Sequence, residues 1–81
     1  MNKHYLGLEV GGLYELKQDL WALERDHNWD DILVTKGSHL FLINLPDIHE
    51  VDMTFLFGTK ILVFNRDCFK FFTKLLWIEN L

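Results

Sequence analysis

Two apolar runs in this chain are each split by a glycine turn. Ile32-Leu33-Val34-Thr35 leads through Lys36-Gly37-Ser38 to His39-Leu40-Phe41-Leu42-Ile43. Met53-Thr54-Phe55-Leu56-Phe57 leads through Gly58-Thr59 to Lys60-Ile61-Leu62-Val63-Phe64. β-Branched and aromatic residues on both sides of a short glycine turn are a hairpin signature. The pattern predicts that 32–35 pairs antiparallel with 39–43, and 53–57 with 60–64. Apolar residues at consecutive positions belong to strands covered on both faces, or to a sheet curled tightly on itself.

The rest of the chain is read against those two hairpins. Leu13-Tyr14-Glu15-Leu16-Lys17 alternates after Gly11-Gly12 and reads as a first strand entered through a glycine bend. Leu13, Leu16, Leu20 and Leu23 also fall at helical spacing, so a helix over 13–25 competes. The preceding glycines and the following hairpins favour the strand. Leu20-Trp21-Ala22-Leu23 resumes the apolar run, and 24–31 is the longest polar stretch, read as a loop. A second loop surrounds Pro46-Asp47. Asp67 is a candidate N-cap, and Cys68, Phe72, Leu75 and Leu76 share one helical face beyond it. Phe69 and Phe71 fit that face poorly, so a last strand before a short helix is also open. The expected fold is one mainly β domain over 1–81. It is a small, strongly bent antiparallel sheet or barrel of four to five strands with a short C-terminal helix.

Composition sharpens this. The chain has 81 residues, 49% hydrophobic and 15% aromatic. So small a domain buries little more than half of its unfolded surface. Some apolar residues are therefore expected outside, on a partner or self-association patch, and self-association as a homodimer is expected. The net charge of -4 argues against direct nucleic-acid binding, which needs a basic face. Acids concentrate early: Glu9, Glu15, Asp19, Glu24, Asp26, Asp30 and Asp31 outnumber Lys17 and Arg25. Such a run is a solvated surface or a partner-facing one. Cys68 is the single cysteine, which fits a reducing, cytoplasmic setting. Met1-Asn2-Lys3-His4 shows no signal-peptide pattern. No apolar run reaches the roughly 18 residues of a membrane helix, so no membrane partner is expected.

The order of these devices resembles a known family. Val10-Gly11-Gly12-Leu13-Tyr14-Glu15-Leu16, then Thr35-Lys36-Gly37-Ser38, then Phe55-Leu56-Phe57-Gly58-Thr59-Lys60-Ile61 and a terminal aromatic-Leu segment are similar to small SH3-like barrel accessory proteins of tailed, T-even-like bacteriophages. The resemblance covers roughly 7–76 and rests on turn and core positions. It implies an SH3-like barrel and a cytoplasmic setting in an infected host. It also implies binding to a host or defence protein, often to inhibit it. No functional residue is carried over by it.

Candidate chemistry is sparse. His27 with Asp26, Asp30 and Asp31, and Asp47 with His49 and Glu50, place imidazole near carboxylates without a recognised ligand spacing, so no metal is expected. Cys68 near a helix start is a candidate nucleophile only if its thiol is activated; a structural thiol is the simpler reading. No phosphate-loop or nucleophile-elbow pattern occurs, and Ser38 is the only serine. Neither an enzyme nor a cofactor is expected. Trp21, Trp29 and Trp77, with Tyr5 and Tyr14, are the better leads, because interface anchors are enriched in Trp and Tyr. Trp29 stands among Asp26, His27, Asn28, Asp30 and Asp31, and is either an anchor for a basic partner or a plug over the barrel mouth. The expected partner-binding residues are Trp29, Asp26, Asp30, Asp31 and Trp77. The expected role is a non-enzymatic inhibitor of a host or defence protein. A small-ligand or nucleotide-binding oligomer and a virion assembly component are the alternatives.

Overall fold

A computed structural model describes residues 4–5, 7–26, 28–46 and 52–75 of the chain. Nine strands and one 3-10 helix occur among them: β1 (His4–Tyr5), β2 (Leu8–Glu9), β3 (Leu13–Leu16), β4 (Leu20–Glu24), β5 (Asp30–Val34), β6 (His39–Asn44), β7 (Asp52–Phe57), β8 (Lys60–Asn65), the 3-10 helix (Arg66–Phe71) and β9 (Phe72–Lys74). β1 and β2 form a two-stranded ribbon. The others form one antiparallel sheet in the order β5-β4-β8-β7-β6-β3-β9. β5 and β9 are its end strands, so the sheet is not closed into a barrel.

Its connections force it to bend. β3 and β4 lie four strand spacings apart, about 19 Å across a flat sheet. Lys17, Gln18 and Asp19 alone join them, which spans at most about 14 Å. The sheet must curl to close that gap. Lys36 N–H donates to Asp19 Oδ1 at 2.7 Å, and Leu16 N–H donates to the Ser38 carbonyl at 2.9 Å. Those bonds clamp the two loops at the corner.

The concave side holds one core. Leu16, Leu40, Leu42, Met53, Phe55 and Leu62 are fully buried. Phe55 stacks on Phe72 at 4.5 Å between centroids, and Phe64 meets both edge-on at 5.5 and 5.3 Å. Tyr14 lies in the same cluster, and its hydroxyl accepts the Glu9 N–H at 2.7 Å. A Cβ at Gly12 would sit 2.8 Å from Tyr14 Cε2, so the glycine is required for the ring to pack.

The strand reading of 13–17 and the hairpin 53–57 with 60–64 match the structure, the latter from Met53↔Phe64 to Phe57↔Lys60. The other predicted hairpin is not formed. β5 pairs with β4, while the segment from His39 pairs with β3 and β7. Gly37, at φ +93°, does reverse the chain, but at the sheet's bend. The Gly37 N–H donates to the Leu16 carbonyl, so β3 fills the place a hairpin partner would take. The polar stretch 24–31 is shorter as a loop than its composition suggests. Glu24 ends β4, and Asp30 and Asp31 begin β5, leaving only 25–29 between the two strands.

Within the described residues the C-terminal segment forms the 3-10 helix and then β9, the last strand that the sequence left open, and a short helix beyond it would fall outside the described residues. The cap of the 3-10 helix is Asn65, whose Oδ1 accepts the Asp67 N–H at 2.9 Å, and Asp67 itself stands inside the first turn. Phe72 sits in the core with β9 paired to β3, which ends helical geometry there. Residue 76 onward lies outside the described residues.

Candidate functional site

β4 is built inside out. Its inward positions are Leu20, Ala22 and Glu24, and its outward ones are Trp21 and Leu23. Alternation fixes this, since side chains along a strand face opposite ways in turn. Ala22 and Glu24 are the buried members and Ala22 packs in the core, while the far larger Trp21 is 66% exposed. β5 repeats the arrangement: Ile32 and Val34 face the core, and Leu33 is 46% exposed. Trp21 and Leu33 are direct cross-strand partners, as are Leu23 and Asp31. The outward face of the β4–β5 hairpin therefore carries a Trp-Leu stripe that the core does not use.

Leu23 pairs with the buried Val63 on β8, whose neighbour on β7 is Thr54, and a second apolar row lies two residues along β8. Ile61, Leu56, Phe41 and Leu13 are register neighbours on β8, β7, β6 and β3. Phe41 is among the exposed large side chains of the described residues.

Trp29 closes the hairpin turn. It is half exposed and stands outside the core cluster, so it does not act as the core plug considered above. Asn28 and Trp29 both have positive φ, +54° and +59°. Asn tolerates that region; a Trp there is strained by about 1–2 kcal/mol. The backbone turns the Trp outward at a cost the fold bears elsewhere.

Acids stand around this stripe: Asp31 faces outward opposite Leu23, Asp26 lies in the turn, Asp30 is exposed at the hairpin end on the other side of β5, and Asp19 is held as the acceptor for Lys36 N–H. Arg25 lies 3.7 Å from Asp26, an exposed pair worth little on its own. Glu24 is nearly buried beneath the hairpin and is met by Lys60 at 3.7 Å. Of the residues expected to bind a partner, Trp29, Asp26, Asp30 and Asp31 thus fall on one hairpin. Trp77 lies outside the described residues, as do His27 and the cluster at 47–50.

Sequence reasoning left Trp21, Leu23 and Leu33 out of the site. The signal was present: a small Ala and an acid alternate with Trp and Leu, so one face of that strand is poor in core-forming bulk. Tyr14, a second aromatic lead, is a core residue.

Cys68 is half-buried. Burial pushes its thiol up from the ordinary value and the neighbouring Asp67 carboxylate raises it further, with Lys70 opposing. That is the reverse of an activated nucleophile. No group of three metal-ligating side chains occurs among the described residues, and no helix there is long and apolar enough to cross a membrane. No protein-family model, curated protein or solved structure matches the chain.

Proposed function

We propose that this chain is a non-enzymatic binding protein that acts through the outward face of its β4–β5 hairpin. The observation that carries this is Trp21, two-thirds exposed beside Leu33 on a strand whose buried positions hold only Ala22 and Glu24. A stable fold gains nothing from that exposure, whereas an aromatic anchor gains much from burial against a partner. The acidic rim selects for a partner surface that is apolar at its centre and basic around it. In the setting that the bacteriophage resemblance implies, the partner is a host or defence protein, and binding inhibits it. The strongly bent sheet is compatible with that SH3-like resemblance.

The test is affinity purification from infected cells with three baits: wild type, Trp21→Ser with Trp29→Ser, and Asp30→Lys with Asp31→Lys. A partner retained by wild type, lost with the tryptophans and released by rising salt supports the reading. Equal retention by all three baits refutes it. Stronger retention of nucleotides by the charge-reversed bait points instead to an anion-binding site.

A further inference from the structure

The open edge of β5 carries more information than its exposure. Arg25 N–H donates to the Ile61 carbonyl on β8. Backbone groups alternate sides along a strand, so odd residues of β4 point to β8 and even ones, Leu20, Ala22 and Glu24, point to β5. Their register partners Val34, Ile32 and Asp30 point back at β4. Lys36, in the turn beyond Val34, donates its N–H to the Asp19 carboxylate on the β4 side. The N–H and C=O groups of Asp31 and Leu33 therefore face away from the sheet, and no described strand lies beyond β5.

We propose that this edge pairs with the β5 edge of a second copy, antiparallel, about a two-fold axis at Leu33. This goes beyond the proposed function and does not depend on it. Three observations select the occupant and the register. First, the outward-pointing backbone residues are the odd ones, so odd must meet odd across the axis, and Leu33 opposite the partner's Leu33 satisfies that. Second, this register brings Asp30 toward the partner's Lys36, which stands in the 35–38 turn just past the end of β5, and the reverse contact follows by symmetry. Both side chains are exposed and of opposite sign. Centring the axis at Asp31 would instead oppose identical carboxylates, and centring it at Ile32 would set Asp31 against Leu33. Third, Leu33 and Trp21 lie side by side on the outward face, so pairing at Leu33 joins two Trp-Leu stripes into one. Each copy then contributes half of a continuous apolar surface. An isologous contact of this kind closes on itself and leaves no free β5 edge.

The test is sedimentation velocity across a concentration series of the full chain, with circular dichroism confirming that each variant is folded. Wild type should dimerise. Asp30→Lys and Lys36→Asp should each weaken the dimer by at least about tenfold, because each brings like charges together. An equimolar mixture of the two variants should restore a dimer, and so should the double variant Asp30→Lys/Lys36→Asp. A wild type that stays monomeric at high micromolar concentration overturns the proposal. So does a dimer indifferent to both reversals, or one that the mixture fails to rescue. A monomer that still loses its partner on Trp21→Ser would leave the binding face standing and the edge free for a foreign strand.

Discussion

Phe72→Ala should bring the whole domain close to its unfolding limit. Phe72 is the side chain through which the last strand grips the core. It is 7% exposed, stacked 4.5 Å from Phe55 and edge-on to Phe64 at 5.3 Å. On either side of it, Lys17 N–H donates to the Phe71 carbonyl and Leu75 N–H to the Leu13 carbonyl, so the ring and β9 stand or fall together. Removing a buried Phe costs about 3–5 kcal/mol, from lost transfer energy plus the cavity left behind. Two well-formed aromatic pairs put this site toward the upper end. At roughly 0.05–0.15 kcal/mol per residue, a domain of this length has only about 4–12 kcal/mol in all. Urea denaturation followed by tryptophan fluorescence and far-UV circular dichroism gives the difference directly. Phe41→Ala is the control: that ring lies on the outward face, 39% exposed, and its loss should cost about 1 kcal/mol or less. If Phe72→Ala costs no more than Phe41→Ala, β9 is not part of the cooperative unit, and the packing argument for the C-terminal segment fails.

The two faces of the sheet should answer differently to charge. Leu42→Asp buries an unpaired carboxylate in the core and should abolish the cooperative transition, whereas Phe41→Asp, on the outward face away from the β5 edge, should leave a cooperative transition; a thermal melt of each decides. Tyr14→Phe removes the acceptor for the Glu9 N–H and should cost about 1–2 kcal/mol in denaturant titration, with Gly12→Ala at least as harmful because its Cβ meets the Tyr14 ring. Cys68 should alkylate slowly at neutral pH in the folded protein and faster in urea, because burial and Asp67 hold the thiol protonated. Since its folded pKa is raised, the stabilising contribution is complete below the ordinary thiol pKa and is lost as pH rises through the raised one. Cys68→Ser should flatten that alkaline decline in a pH series of melting temperatures.

How far the sequence determines this molecule depends on the range of the interaction concerned. The hairpin of β7 and β8 is local: Gly58, at φ +63°, sits between two β-forming runs, and nothing distant is needed to align them. The strand character of β3 and the apolar identity of Leu42, Phe55 and Phe64 were legible for the same reason. Gly37 supplied an equally clear turn, but a turn fixes only a change of direction. Which strand lies beside β5 was decided by the core, where Leu20 and Ala22 meet Val34 and Ile32. The site followed the same rule. That Trp29 sits among acids is visible in the chain, and so is the Trp21-Ala22-Leu23-Glu24 alternation. Which half of that alternation faces water depends on the side from which the bent sheet closes. Side-chain period two means that one choice turns every residue of a strand at once. The tertiary structure put Ala22 in and Trp21 out, because the core that Ala22 joins already holds large side chains such as Leu42, Phe55 and Leu62 from other strands.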